Sequence, residues 1–103
     1  MRSLFYEAKA FDQDLSRWDV SHVTDMRKVF LGAERFNRGI SSWETSRVAN
    51  CSFMFYAAKS FNQDISAWDV TNVKNMSQMF EGAVAFDKVY IKEWAEKRPK
   101  SWF

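Results

Sequence analysis

The sequence predicts an α/β fold, a right-handed solenoid of short parallel strands backed by helices and closed by a C-terminal capping helix. Three observations predict it. A single unit, residues 11–35, recurs at 36–60 and 61–85 without an insertion. Within each unit, the apolar spacing of a strand gives way to that of a helix. A unit that consists of one strand and one helix cannot form an antiparallel pair of strands by itself. Successive units must therefore stack, so that their strands form a parallel sheet joined by right-handed crossovers.

The repeat consists of columns of similar residues 25 positions apart. Residues 11–35 and 61–85 share 12 of 25 positions, and residues 36–60 and 61–85 share 11. The strictest columns are aromatic: Phe11, Phe36, Phe61 and Phe86; Trp18, Trp43 and Trp68; Phe30, Phe55 and Phe80. Such units bury their apolar faces only by stacking. We therefore predict a repeat solenoid over residues 1–86, made of a partial unit at 1–10 and full units at 11–35, 36–60 and 61–85.

The predicted strands are short, because only a tryptophan and the residue two positions later share one face. They lie near Trp18, Trp43 and Trp68. Helical apolar spacing follows, with a Ser or Thr before it and a Gly near its end in two of the units. An array of paired helices is the alternative, since the strands are so short. The predicted helices are Thr24–Gly32, Ala49–Ala57 and Lys74–Gly82.

The C-terminal segment, residues 87–103, leaves the repeat register. Glu93 stands where a tryptophan is expected, and Ile91 and Trp94 share one helical face that ends before Pro99. We predict a cap that covers the apolar end and the strand edge of the repeats. The alternative is a membrane-surface or partner-binding helix. Its basis is the set of basic and aromatic residues Lys92, Trp94, Lys97, Arg98, Lys100 and Trp102.

The composition excludes several classes of protein. With 103 residues, 47% of them apolar, the chain can form one packed domain. Residues 1–86 carry ten basic and ten acidic side chains, which argues against binding to nucleic acid. No stretch is long enough to span a bilayer, and residues 1–11 lack the apolar region of a signal peptide. We expect a monomer without a membrane span.

Few residues could carry chemistry. Cys51 is the single cysteine and stands in an apolar column, so we expect a buried, inert thiol. His22 has no evident orienting partner, so we expect it to be solvated. The tryptophan column could form a stacking platform for sugars or bases, but we expect it to face inward. The polar column that contains Asn37 and Asn62 suits turn-forming hydrogen bonds. We expect no catalytic residue, cofactor or metal ion.

An acidic column, formed by Asp19, Glu44 and Asp69, comes closest to a site. Neighbouring strands lie about 4.8 Å apart, so three stacked carboxylates would repel each other. Arg17 and Arg47 could offset the repulsion, and so could a cation such as calcium, which prefers oxygen ligands. The simpler interpretation is a solvated acidic strip, and the cation site stays open.

Three motifs of the third unit give a resemblance. Phe-Asn-Gln-Asp-Ile-Ser at 61–66, Trp-Asp-Val at 68–70 and Met-x-x-Met-Phe-x-Gly-Ala at 76–83 occur in this order. Together they resemble the repeat of bacterial surface lipoproteins of mycoplasmas and Listeria, akin to BspA-like leucine-rich repeats. The resemblance covers residues 4–86, and the middle unit departs from it at Arg38-Gly39, among other positions. It implies a leucine-rich-repeat-like solenoid on a surface or secreted protein, often associated with adhesion, and it supplies no catalytic residues.

We therefore expect a non-enzymatic module for protein binding or adhesion. Its place would be the cell surface or the extracellular space, and its ligand a protein or a cell-surface molecule. The alternative is a purely structural spacer in a longer surface protein. The candidate contact face consists of the exposed strand positions Arg17, Asp19, Ser21, Ser42, Glu44, Ser46, Ala67, Asp69 and Thr71.

Overall fold

The computed structural model of the chain describes residues 1–103. Its regular structure is sparse. The only strand-like pairing consists of two isolated parallel bridges, which join Asp25 to Asn50 and Asn50 to Asn75. All helices lie in the C-terminal segment: a 3₁₀-helix at Lys88–Ile91, an α-helix at Lys92–Ala95 and a second 3₁₀-helix at Lys100–Trp102.

The predicted α/β solenoid is therefore wrong, and so are its leucine-rich-repeat-like strands and the all-helical alternative. Tight turns occupy the predicted strand positions. The amide of Trp18 donates to the carbonyl of Leu15 at 3.1 Å, and the amide of Trp43 donates to Ile40 at the same distance. A chain that turns back within four residues cannot extend into a sheet. The predicted helices Thr24–Gly32, Ala49–Ala57 and Lys74–Gly82 are also absent, and successive turns replace them.

Alternating hydrogen bonds explain why these three segments are not helical. In an α-helix every amide donates to the carbonyl four residues back. Between residues 26 and 33, the amides at 29, 31 and 33 instead donate three residues back, which closes local turns. The amides between them donate to carbonyls of the next unit: Lys28 to Ser52, Phe30 to Met54 and Gly32 to Tyr56, at 3.1, 2.9 and 2.8 Å.

Two residues in each of these segments adopt a left-handed backbone conformation. One column consists of Lys28, Phe53 and Gln78, with φ of 58°, 58° and 52°. The other contains Gly32 and, in the middle unit, Ala57 with φ of 55°. A side chain in this region costs about 1–2 kcal/mol relative to the right-handed conformation. The hydrogen bonds on either side of each turn offset that cost.

Stacked aromatic rings form the core of the repeats. Phe36, Phe55 and Phe61 are completely buried. Equivalent rings from neighbouring units stack, for example Phe30 on Phe55 at 5.4 Å between ring centroids and 9° between planes. Phe55 also stacks on Phe80 at 5.5 Å. This spacing lies within the range of favourable aromatic pairs, so the core has the same period as the sequence repeat.

A polar ladder runs along the same direction at the surface. The amide of Asn37 donates to Asp12 Oδ1 at 3.0 Å, the amide of Asn62 to Asn37 Oδ1 at 2.9 Å, and the amide of Asp87 to Asn62 Oδ1 at 3.0 Å. We expected these side chains to bond within their own turns. They instead connect each unit to the next, which fixes the register of the stack on its polar side.

The C-terminal segment packs on the end of the third full unit. The carboxylate of Asp87 accepts from the amide of Val89 at 3.0 Å and starts the first 3₁₀-helix. Ile91 is buried in the core. The guanidinium of Arg98 donates to the carbonyls of Val70 and Val73 at 2.9 and 3.1 Å. Two kinds of contact thus hold the segment to the repeats: an apolar anchor, Ile91, and the guanidinium of Arg98.

Candidate binding face

The structure places the predicted contact residues in turns, so they do not form a sheet face. Seven of the nine are exposed, while Ser21 and Ser46 are half-buried. Each full unit contributes one acidic residue to the exposed set, whereas the position two residues earlier holds Arg, Ser or Ala. The set that stays exposed is Arg17, Asp19, Ser42, Glu44, Ala67, Asp69 and Thr71.

The three acidic side chains share one local geometry. Each accepts a hydrogen bond from the amide two residues ahead: Asp19 from Ser21 at 2.9 Å, Glu44 from Ser46 at 3.1 Å and Asp69 from Thr71 at 2.9 Å. The hydroxyl of Ser21 also donates to Asp19, at 2.6 Å. A hydrogen bond from a backbone amide to the side chain two residues earlier closes a loop that resembles a backbone turn. Each carboxylate is thereby held in one orientation while it stays exposed.

At Asp19 and Asp69, these hydrogen bonds favour the charged form of the carboxyl group. The hydroxyl and amide of Ser21 lower the pKa of Asp19 below its ordinary value of 3.8. The hydroxyl and amide of Thr71 lower the pKa of Asp69 in the same way. At neutral pH the face therefore presents fixed negative charges, one from each full unit.

Neither Arg17 nor Arg47 forms an ion pair with a carboxylate of the acidic column. The ion pairs of the chain join other residues: Arg27 to Asp25 at 2.9 Å, Arg38 to Asp12 at 3.2 Å and Lys59 to Glu34 at 3.5 Å. No group of three His, Cys, Asp or Glu side chains is arranged to hold a metal ion. The three carboxylates of the acidic column do not form such a group.

The tryptophan column contributes to the core more than to the surface. Trp43 and Trp68 are 4% and 5% exposed, as predicted. Their indole N–H groups donate to the carbonyls of Leu15 and Ile40 in the preceding units, at 2.9 and 3.0 Å. Trp18 is 44% exposed, so the prediction was wrong for this member. A stacking platform would need all three rings at the surface.

Comparison with known families gives a match along almost the whole chain. The family described as "Mycoplasma protein of unknown function, DUF285" matches residues 1–100. The chain belongs to this family. No curated protein matches it, and no solved structure does. The mycoplasma part of the resemblance is thereby confirmed, whereas the link to Listeria and to BspA-like repeats remains a prediction. No helix of this DUF285 chain is long and apolar enough to cross a membrane.

Two residues of the DUF285 chain carry side chains that could take part in catalysis. The guanidinium of Arg47 is 2.8 Å from Nδ1 of His22, a contact between units that the sequence did not suggest. In this contact the ring nitrogen accepts a hydrogen bond, because arginine has only donors. Cys51 is buried, as predicted, and burial raises the pKa of its thiol to about 12. A protonated, buried thiol is a poor nucleophile.

No feature of the sequence indicated the role of Arg98. It was one of several basic residues of the tail, and the basic face predicted for the alternative helix would have left it in solvent. Its guanidinium instead binds two carbonyls of the third unit of this DUF285 chain. The Asp12 ladder had a visible signal, namely Asn or Asp at the same position of every unit. Only its direction, between units rather than within a turn, was missed.

Proposed function

We propose that the chain is a non-enzymatic binding module of a surface or secreted protein. Its contact face is the row of exposed turns that carries Asp19, Glu44 and Asp69. One observation supports this proposal most directly: each of the three carboxylates is fixed by an amide hydrogen bond although it lies at the surface. Fixed, repeated charges suit recognition of an extended partner.

The physical argument concerns preorganisation. A flexible surface charge loses side-chain freedom when it binds, at about 0.5–1.5 kcal/mol for each immobilised side chain. Asp19 and Asp69 have already lost that freedom in the free protein. Their negative charges also attract a positive partner over a distance of about one Debye length. The partner that fits is therefore a protein or cell-surface molecule with basic groups spaced along its length.

Binding rather than catalysis is favoured by what the reactive side chains do. His22 contacts the guanidinium of Arg47, and Cys51 is buried with a raised pKa. A general base must lie within hydrogen-bond distance of the substrate proton that it removes, and a nucleophile must be accessible to the atom that it attacks. The resemblance to surface lipoprotein repeats adds the expectation of adhesion and of a place at the cell surface.

Charge-matched variants test the face. Asp19→Asn with Asp69→Asn removes two charges of the column, and the Asn side chain still accepts from the amide two residues ahead. Asp14→Asn with Asp64→Asn is the control, because both carboxylates accept from Ser amides at 2.8 and 2.9 Å in the same way. Binding kinetics on immobilised host cells or matrix should slow several-fold at low salt for the first pair alone. The difference should shrink as salt screens the charges.

A structural spacer in a longer surface protein is the alternative function. The continuous aromatic core and the polar ladder support it, because both stiffen the stack along its length. The same experiment separates the two functions. Equal attachment by the unmodified chain and by both folded double variants would refute the binding face and leave the spacer.

A further inference from the structure

The excess positive charge of the chain is concentrated in its C-terminal segment. The repeats, residues 1–86, carry as many basic as acidic side chains, ten of each. Residues 87–103 carry five basic and three acidic side chains, so the net charge of +2 lies entirely in this segment. One of the five is Arg98, whose guanidinium binds two carbonyls of the third unit. The other four, Lys88, Lys92, Lys97 and Lys100, are all exposed.

Three of these lysines surround an apolar groove. The groove has a volume of about 540 Å³ and lies beside the first 3₁₀-helix and the short α-helix of the segment. Lys88, Lys92 and Lys100 line it together with Val89 and Ala95. The side chain of Val89 is 61% exposed, so an aliphatic surface lies open to solvent between the lysines. Exposed apolar surface with a polar rim is typical of interaction sites.

The positive charges at the groove are not neutralised within the chain. None of the three lysines forms an ion pair with Asp or Glu. The ammonium group of Lys88 donates to the backbone carbonyl of Phe103, a neutral acceptor, and therefore keeps its charge. Glu96 is the one acidic residue of the lining. The groove thus combines an apolar surface with an excess of cations, and the partner that matches it has anionic groups beside apolar ones.

Different residues of the segment bind the repeats and face the solvent. Ile91 is buried in the core, and Arg98 is bound to the third unit. Trp94, which the membrane-surface alternative placed on the basic and aromatic face, is half-buried as well. Lys92 and Lys100 remain exposed and take no part in holding the segment. The cap and a membrane-surface function therefore do not compete for the same side chains.

We infer that the C-terminal segment docks on an anionic lipid bilayer, with the groove toward the membrane and its lysines among the headgroups. Each lysine near an anionic bilayer strengthens binding about fivefold. Val89 enters the boundary between headgroups and acyl chains, where binding also grows with the apolar area that is buried. This apolar contact favours a bilayer over an acidic protein segment, which would match the charges alone. The inference is independent of the proposed binding face, whose carboxylates lie in the repeats.

Co-sedimentation of the chain with lipid vesicles tests the inference. The chain should bind vesicles made of equal parts of phosphatidylcholine and phosphatidylglycerol at low salt. It should bind vesicles of phosphatidylcholine alone at least about tenfold more weakly, because these carry no net charge. Added salt should weaken the binding to the anionic vesicles. Lys92→Gln with Lys100→Gln should weaken it about 25-fold, the product of two such lysines. Val89→Ser should weaken it several-fold at every salt concentration.

A second pair of lysines provides the matched control. Lys74→Gln with Lys97→Gln removes the same charge from two exposed side chains that do not line the groove. This control should bind anionic vesicles nearly as the unmodified chain does. The binding-face variant, Asp19→Asn with Asp69→Asn, should bind them at least as tightly, which separates this inference from the proposed function. Near-ultraviolet circular dichroism checks that each variant is folded, and Lys100→Gln alone, with a loss of about fivefold, replaces the groove pair if that pair does not fold.

Three results would overturn the inference. The first is a folded, unmodified chain that does not bind anionic vesicles at low salt, or that binds both kinds of vesicle equally. The second is an equal loss of binding for the groove pair and the control pair of lysines, which would assign the effect to net charge alone. The third is a chain that binds polyglutamate but not vesicles, which would assign the groove to an acidic protein partner instead.

Discussion

Truncation of Phe55 to Ala is the sharpest test of the aromatic core. The side chain is completely buried and lies beside four rings: Phe30 at 5.4 Å, Phe61 at 4.1 Å, Phe80 at 5.5 Å and Trp68 at 6.3 Å. A Phe→Ala change in a core costs about 3–5 kcal/mol, and each lost ring pair adds to the cost of burial alone. We expect a value at the upper end of that range. The total free energy of unfolding of a domain of this size is only about 5–15 kcal/mol.

The assay is a thermal melt followed by tryptophan fluorescence, with urea unfolding as the second measurement. About 1 kcal/mol shifts the melting temperature of such a domain by roughly 4–8 °C, so the variant should melt at least about 12 °C lower. Phe5→Ala is the matched control from the same column. Phe5 is only half-buried, so its truncation should cost clearly less. A shift of one or two degrees for Phe55→Ala would refute the stacked core.

Three further predictions concern protons and the backbone. Iodoacetamide should modify Cys51 slowly in the folded chain and rapidly in urea. Because burial raises the pKa of the Cys51 thiol from 9.0 to about 12, the free energy of unfolding should also fall as the pH rises through this range. The lowered pKa values of Asp19 and Asp69 stabilise the folded chain above pH 3.8, and this stabilisation is lost as the pH falls through the pKa values of the folded state. The urea midpoint should therefore drop less at low pH for the variant with Asp19→Asn and Asp69→Asn. Ala57→Gly should raise stability by up to about 1 kcal/mol, because it relieves a left-handed alanine at some cost in chain entropy. Gly32→Ala should lower the stability, since the new Cβ would lie 3.1 Å from Cγ of Glu7. Equal urea midpoints for Ala57→Gly and Gly32→Ala would contradict the role of backbone strain.

The burial of side chains could be predicted from the sequence, because apolar residues that recur at equivalent positions of successive units form the core. Phe36, Phe61 and Trp43 are buried where the sequence repeat puts a unit on either side of them. Trp18 belongs to the same column as Trp43, yet it is 44% exposed. The period predicts which face is apolar, whereas neighbours decide how much of that face is covered.

The backbone could not be predicted in the same way. Met76, Met79, Phe80 and Ala83 are all buried at positions i, i+3, i+4 and i+7, which is the helical pattern, although the segment is not a helix. The choice depends on where alternate amides donate, and on left-handed residues such as Phe53 and Gln78 that are not glycine. No local preference of Phe or Gln signals that conformation. It exists because a neighbouring unit supplies the acceptors.

The candidate face falls between these cases. The acidic column and its exposure followed from the repeat. The hydrogen bonds that orient Asp19 and Asp69 required the turns, which the predicted strands would have excluded. A Ser or Thr two residues after each Asp is the signal that could have indicated them.

Most backbone hydrogen bonds between units run in one direction, which gives the stack an electrical polarity. Eleven amides donate to a carbonyl of the following unit, while three other backbone bonds and the three amides of the polar ladder run toward the preceding unit. Each peptide unit carries a dipole of about 3.5 D, and aligned dipoles add, as they do along a helix. The amides of Gln78, Phe80 and Gly82 donate to no carbonyl, so the third unit ends the row with its partially positive side.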